Sequence, residues 1–230
     1  MQPFSVRVAA SSANLGPGFD SLAIALSRWL TVTVTPNGAD AIRDIGSPDL
    51  LGGANLVIEA MVTTASRLGI LIPGCDVSVE SEIPVARGLG SSAAAIVGGI
   101  QAAATAAGVA LTDDDMVDIG GEMEGHADNV AASILGGVTV AMRGGDRYEG
   151  RCLVGKIAWR AVVFVPDIPA FTVQARGILP PHVPLADATF NVGRAAMLSI
   201  ALREHQPRLL REAMQDRLHQ PYRSAIFAHL

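Results

Sequence analysis

The sequence predicts an α+β fold, and three observations carry that prediction. Its strand-like segments are two-faced, alternating apolar and polar residues as half-exposed antiparallel strands do. Strands and helices follow one another without the regular alternation of a doubly wound sheet. Half of the 230 residues fall in the AVILMFWYC set and only 17 % are charged, so the chain can bury a large core.

The elements follow in order. Phe4, Val6 and Val8 alternate with Ser5 and Arg7, which predicts a strand. Residues Ser11–Asp20 read as a loop rich in Gly, Pro and Asn. Leu30–Val34 is β-branched and closed by Pro36-Asn37-Gly38, a second strand. From Asn55 to Leu68 the spacing is helical, with Leu56, Ala60, Met61 and Ala65 on one face and Gly69 as the stop. Val77 and Val79 alternate with Ser78 and Glu80 in a strand that runs to Ile83.

The period then changes from two to 3.6 across Pro84–Ser92, and a helix runs to about Ala107, stopped by Gly108. Thr112 caps the next helix, with Asp113, Asp114 and Asp115 in the first turn where the helix dipole favours acids. That helix includes Met116–Glu124. Val138–Met142 reads as a strand before a turn at Arg143–Asp146, and Ala161–Val165 as a buried strand ending at Pro166. Pro180, Pro181 and Pro184 mark a loop, and Asn191–Glu204 and Leu209–Met214 are helical. No internal repeat is present.

Composition excludes several classes. With 17 Lys+Arg against 22 Asp+Glu the net charge is −5, which provides no basic stripe for a nucleic-acid backbone. The apolar content excludes disorder as the main state. The long weakly polar run Ala93–Leu111 is mostly Ala and Gly, broken by Gln101 and Thr105, and reads as a buried helix rather than a membrane span. The N-terminus lacks a basic region followed by an apolar core, so no signal peptide is expected. Cys75 and Cys152 are far apart and without metal-type spacing, which predicts two buried, reduced thiols in a cytoplasmic protein.

Three windows carry chemistry. In Gly88-Leu89-Gly90-Ser91-Ser92-Ala93, two glycines allow a tight turn and close approach of a ligand, and two hydroxyls open a helix whose first N–H groups are unpaired. That is the layout of a phosphate site, although an ordinary capped strand–turn–helix has the same pattern. Gly88-x-Gly90-x-x-Ala93 also fits a dinucleotide fingerprint, but the preceding strand alternates and carries Glu80 and Glu82, unlike a buried parallel strand. Gly150–Lys156 matches GxxxxGK, yet Ile157 stands where a Mg²⁺-binding hydroxyl is required. Both rivals are set aside.

The second window, Glu122–Asn129, clusters Glu122, Glu124, His126, Asp128 and Asn129 in apolar surroundings. A metal-bound triphosphate requires a carboxylate near the phosphate loop, because Mg²⁺ takes few protein ligands, all oxygens. In the third, Ser11–Asp20, Asn14 and Asp20 sit in a loop suited to a small polar substrate, or Asn14 simply closes a turn.

Taken jointly, SSANLGPGFDSLAIAL, PVARGLGSSAAA and EGHADNVAASILGG resemble the GHMP kinase superfamily. Phe190-Asn191-Val192-Gly193-Arg194 and the string Asp216–Arg223 place the resemblance closest to its homoserine kinase branch, over residues 6–224. The resemblance implies a two-domain GHMP kinase-like fold. Its N-terminal ATP-binding domain, over residues 1–150, would be ribosomal-protein-S5-like, and residues 156–230 would form part of a ferredoxin-like domain. It implies ATP-dependent phosphorylation of the L-homoserine side-chain hydroxyl, a step towards threonine, with ATP and Mg²⁺. The alternatives are another small-molecule kinase of the mevalonate type and a non-catalytic nucleotide-binding protein.

By the same resemblance, ATP would be held by Asn55 and by Pro84, Val85, Ala86, Arg87, Gly88, Leu89, Gly90, Ser91, Ser92, Ala93 and Ala94. Ser92 with Glu124, or else Glu122, would hold Mg²⁺. Asn14, Asp20, His126, Asp128, Asn129 and Arg194 would line the amino-acid pocket, Asp128 and Asn129 being catalytic, with Asp128 the candidate base. The expected partners are a small-molecule substrate and, in a homodimer, a second copy, without nucleic acid or membrane. Relatives carry a further Gly/Ser-rich loop beyond this string, whereas the present sequence ends at Leu230, so an incomplete C-terminal domain is expected.

Overall fold

In a computed structural model, residues 1–46, 55–165 and 172–224 are described. The fold is organised around one long strand. β1 (Phe4–Ala13) turns back into β2 (Leu22–Pro36), and the two pair antiparallel from Phe4↔Val34 to Ala13↔Ala23. The opposite flank of β2 is shared. Its second half pairs with β4 (Cys75–Ser81), and its start pairs with β5 (Val138–Gly144). β5 forms a hairpin with β6 (Arg147–Val154), while the short β3 (Ile42–Asp44) runs parallel to β4 at the far edge.

The helices α1 (Leu56–Leu68), α2 (Ser91–Ala107), α3 (Asp113–Glu124) and α4 (Asp128–Leu135) complete this half. α2 is the central one. Ala93, Ala94 and Val97 pack with Val8, Leu30, Val32, Val34, Val77 and Val79 of the sheet, and Val57 and Met61 of α1 join the same cluster. Its small residues have a reason. A Cβ at Gly99 would lie 2.3 Å from the Val57 carbonyl oxygen, so only glycine lets α1 approach this closely. Burying α2 nearly all round explains why its hydrophobicity resembles that of a membrane span. Among the described residues, no helix is long and apolar enough to cross a membrane.

Beyond Val154 the described residues form the helices α5 (Thr172–Gly177), α6 (Leu185–Arg203), α7 (Pro207–Ala213) and α8 (Gln220–Arg223), and no strand. Leu198 and Leu202 of α6 and Ala213 of α7 pack with Leu22, Val138 and Val154, seating these helices on the β5–β6 end of the sheet.

Several expectations are corrected. Ala161–Val165 is not a buried strand: it is irregular, with Val162 77 % and Phe164 89 % exposed. Apolar, β-branched composition makes a strand only where a neighbouring ladder exists, and among the described residues β6 is the last strand on this side of the sheet. The anticipated end of that segment, Pro166, lies outside the described residues. The buried face of α1 is Val57, Ala60, Met61 and Thr64 rather than one through Leu56 and Ala65. Cys75 is buried as expected, but Cys152 is exposed on β6. β1 runs on to Ala13, inside the segment read as a loop, β2 begins at Leu22 rather than at Leu30, and β3, β6 and α4 carried no recognisable sequence signal.

Candidate active site

The loop between β4 and α2 is anchored by buried Ile83 and Leu89. On its way into α2 the chain turns through three left-handed residues, Ala86 (φ 54°) and Gly88 (φ 70°) between these anchors and Gly90 (φ 67°) just after them. A non-glycine residue in this region is strained, and strain of this kind clusters at ligand-binding sites. Gly90 is the N-cap of α2 and has no side chain to cap it, so the first-turn N–H groups of this 17-residue helix have no side-chain acceptor. No acidic residue occupies that turn. Both features favour an external anion at the helix N-terminus. Space is tight here as well, since a Cβ on Gly90 would lie 2.3 Å from Ser11 Oγ.

Ser92, in the first turn, donates its hydroxyl to Glu124 Oε2 at 2.9 Å. Glu124 ends α3, where Gly125 (φ 83°) turns the chain. Burial pushes the Glu124 carboxyl up, helped by the nearby Asp128 charge and opposed by the Ser92 hydrogen bond, His126 and Arg176. A carboxylate in that position is short of positive charge. Glu122 instead faces α1, where it forms an ion pair with Arg67. Glu124 is therefore the acid that the structure places beside Ser92. Among the described residues there is no cluster of three or more metal-ligating His, Cys, Asp or Glu side chains. One hydroxyl and one carboxylate next to uncapped amides nevertheless fit Mg²⁺, which usually completes its shell with phosphate oxygens and water.

Asp128 opens α4 and is fully buried. Its Oδ1 accepts from His126 Nδ1 and from the Asn129 N–H, each at 2.8 Å. Its Oδ2 is buried and has no partner among the described residues. A buried, unpaired carboxylate oxygen is costly and marks a place for a donor to arrive. Burial disfavours the charged form of His126, yet the Asp128 and Glu124 carboxylates outweigh it and raise the imidazole above its ordinary value. Asn129 Oδ1 accepts from Ser11 Oγ at 2.9 Å, and the Ser11 N–H donates to the Leu89 carbonyl at 3.1 Å. Ser11 thus joins the phosphate loop to the Asp128–Asn129 turn.

Facing this turn is the β1–β2 loop. Asn14 (φ 58°) and Asp20 (φ 53°) are both left-handed, and the Asp20 N–H donates to Asn14 Oδ1 at 2.9 Å, closing the loop on itself. The Asp20 carboxylate receives both arms of the Arg176 guanidinium, at 2.6 and 2.9 Å. That bidentate bond, together with the Asp128 and Glu124 charges, holds Arg176 more firmly protonated than usual. Arg176 and Arg223 also lie over the Phe19 ring, at 5.4 and 5.1 Å from its centroid.

The structure therefore gathers Asn14, Asp20, Ser92, Glu124, His126, Asp128 and Asn129 around the Gly88–Ala94 turn. Arg194 is placed differently. It stacks on Phe190 at 3.5 Å and donates to Gln215, and Arg176 is the guanidinium that meets Asp20. Asn55 caps α1 by accepting from the Val57 and Ile58 amides. Arg87 folds back on the Val85 and Ala86 carbonyls. Sequence reasoning missed Ser11, Arg176 and Arg223 as site residues. Arg223 stands in the recognisable Asp216–Arg223 string, whereas no motif singled out Arg176.

Comparison with known proteins follows the same lines. Residues 55–137 match the GHMP kinases N terminal domain. The chain is 40 % identical to a homoserine kinase of Desulfitobacterium hafniense over 96 % of its own length and 75 % of the relative. It is 43 % identical to one of Clavibacter michiganensis subsp. michiganensis, over 96 % of its length and 72 % of the relative. The crystal structure of homoserine kinase from Cytophaga hutchinsonii superposes with a TM-score of 0.82 at 26 % identity, covering 98 % of this chain and 75 % of that one. The sequence relationship, the superposed fold and the phosphate-loop geometry agree: the chain belongs to the homoserine kinase family of GHMP kinases.

Proposed function

We propose that this protein transfers the γ-phosphoryl group of ATP to the side-chain hydroxyl of L-homoserine, with Mg²⁺, as a step towards threonine. The observation that carries this reading is the Ser92–Glu124 contact. It brings the uncapped end of α2 against the pocket that contains Asp128 and the Asp20–Arg176 pair. An amino-acid zwitterion matches that pair, with its ammonium on the Asp20 carboxylate and its carboxylate on the Arg176 N–H groups that Asp20 does not take.

In the reaction the hydroxyl oxygen forms a bond to the γ-phosphorus, the bond from that phosphorus to the β–γ bridging oxygen breaks so that ADP leaves, and the hydroxyl proton passes to the Asp128 carboxylate. Such transfers need alignment and stabilisation of charge on the phosphoryl oxygens more than covalent help. The α2 amides and the Gly88–Gly90 turn cradle the phosphates. Ser92 and Glu124 would hold the metal, whose charge offsets that of the phosphate oxygens. Asp20 and Arg176 orient the amino acid, and the unpaired Asp128 Oδ2 accepts the hydrogen of the reacting hydroxyl, keeping its oxygen in line. His126 and the Asn129 N–H keep Asp128 in position from its other oxygen. The two free thiols, one of them exposed, suit the cytoplasm.

The test is ADP release with L-homoserine and, separately, with mevalonate. Homoserine-dependent turnover is expected. A preference for mevalonate would overturn the substrate, and nucleotide binding with no transfer to either acceptor would favour a non-catalytic role.

A further inference from the structure

His219 lies inside the Asp216–Arg223 string but has so far had no role; it is 3 % exposed and hydrogen-bonded at both ring nitrogens. Its Nε2 lies 2.7 Å from the Gly16 carbonyl oxygen, in the middle of the Asn14–Asp20 loop. A carbonyl only accepts, so Nε2 carries the hydrogen. Its Nδ1 lies 3.4 Å from Arg223 Nη1, and a guanidinium only donates, so Nδ1 is the acceptor. Both contacts together select a single neutral tautomer. Burial comes first in keeping the imidazole uncharged, and the Arg223 charge adds to it. Together they outweigh the Gly16 carbonyl, Asp216 and Asp20, which favour the proton.

The ring is held from behind. Asp216 accepts from the backbone N–H groups of Leu218, His219 and Gln220 and from Asn191 Nδ2 of α6. Ahead of it, Arg223 donates through Nε to the Ala175 carbonyl, one residue before Arg176, and Arg176 grips Asp20. The contacts close a circuit: Gly16, His219, Arg223, Ala175–Arg176, Asp20, and back along the loop. The loop also has little room to move, since a Cβ on Gly16 would lie 2.8 Å from the Met214 backbone.

We infer that His219 is a positioning residue for the amino-acid substrate: as a neutral donor–acceptor it locks the Asn14–Asp20 loop to Arg223, so that Asp20 and Arg176 are presented in register. The inference deepens the proposed function and rests on it for the identity of the substrate. The loop-locking part stands on this structure alone.

The test compares wild type with His219→Ala and His219→Gln. The glutamine amide can still donate to the Gly16 carbonyl. Hydrogen exchange reads the loop directly through the Gly18 and Asp20 amides, which are bonded to Leu15 O and Asn14 Oδ1. Protection of these amides should fall about tenfold in His219→Ala, the size of one lost buried hydrogen bond, and largely return in His219→Gln. L-Homoserine affinity, measured by titration calorimetry, should follow the same order while Mg-ATP affinity stays unchanged. Unchanged loop protection in His219→Ala would overturn the inference whatever the substrate is. Equal losses for homoserine and Mg-ATP would show general damage and overturn the positioning role as well. A wild-type protein that binds no homoserine would overturn the proposed substrate instead, leaving exchange to judge the loop lock.

Discussion

Alanine substitutions at the two glycines of the phosphate loop separate backbone strain from contact. Gly88 (φ 70°) and Gly90 (φ 67°) are both left-handed, so alanine at either costs about 1–2 kcal/mol of backbone strain. A stiffer unfolded chain returns about 0.4–1 kcal/mol, leaving roughly 1 kcal/mol, or about 2–4 °C in Tm for a chain this long. For Gly88→Ala the account ends there, because nothing lies within 4 Å of the new methyl. At Gly90 the methyl would sit 2.3 Å from Ser11 Oγ and 3.1 Å from Asn129 Oδ1. Overpacking of this kind adds about 1–3 kcal/mol, for a total Tm loss of about 4–16 °C. The relief of that clash moves the first turn of α2, so Mg-ATP affinity should fall about tenfold or more as aligned amides are lost. The assays are thermal melts and nucleotide titration of both variants, with Ser11→Ala/Gly90→Ala expected to recover part of each loss. If Gly90→Ala matched Gly88→Ala in both stability and affinity, the packing between the phosphate loop and β1 would not matter, and the reasoning would fail.

Four other outcomes are expected. Because the folded Glu124 pKa is raised above 4.5, the stability linked to its proton is present below 4.5 and lost as pH rises through the folded value. Metal binding needs the carboxylate, so the Tm gain from Mg-ATP should grow over that same window, and Glu124→Gln should abolish both the growth and most of the gain. Asp128→Asn should lower homoserine-dependent turnover by about 10²–10⁴ with the Mg-ATP KM unchanged, and near-normal turnover would exclude Asp128 as an essential group. Arg176→Lys keeps the charge but loses the fork, so the homoserine KM should rise about tenfold in steady-state kinetics with little change for ATP. Burial pushes the Asp118 carboxyl up, but the Tyr148 N–H, Arg147 and Arg67 outweigh it and hold it below 3.8, so its contribution to stability is complete above 3.8 and lost as pH falls through the lower folded value. Asp118→Asn should therefore cost about 1–3 kcal/mol in denaturant melts at neutral pH and remove that acid-side loss.

What the sequence made legible was local. The spans of α1 and α2 follow from punctuation by Asn55, Gly69 and Gly108, and the start of α3 from its N-cap Thr112. The turn at Gly88–Gly90 and the start of α2 at Ser91 were readable because they depend on the backbone of these residues. Residues that act through distant partners were not readable. Arg176 lies 156 positions from Asp20, and Ser11 lies 118 from Asn129. No periodicity encodes such pairings, since they depend on how the sheet brings β1 beside α2 and α4. The misread segment Ala161–Val165 shows the opposite failure: its composition is that of a strand, but strand formation depends on a partner that local pattern does not reveal. Arg194, whose fork suits a carboxylate, is seated on Phe190 and Gln215, and its buried Nε has no partner among the described residues.

The arrangement has a physical logic that joins its halves. A phosphoryl donor and an amino-acid acceptor need opposite surroundings, one site rich in amide donors and the other presenting paired charges. The fold supplies the first from the free end of a buried helix and the second from a loop held by long-range contacts. Between them stands Ser11, whose N–H donates to Leu89 on the phosphate side and whose hydroxyl donates to Asn129 beside Asp128. The strained backbones of Ala86 on one side, and of Asn14 and Asp20 on the other, are therefore tied to a shared element, β1. Catalysis by alignment requires such ties, because a displacement of about 1 Å between donor and acceptor can cost a hundredfold in rate.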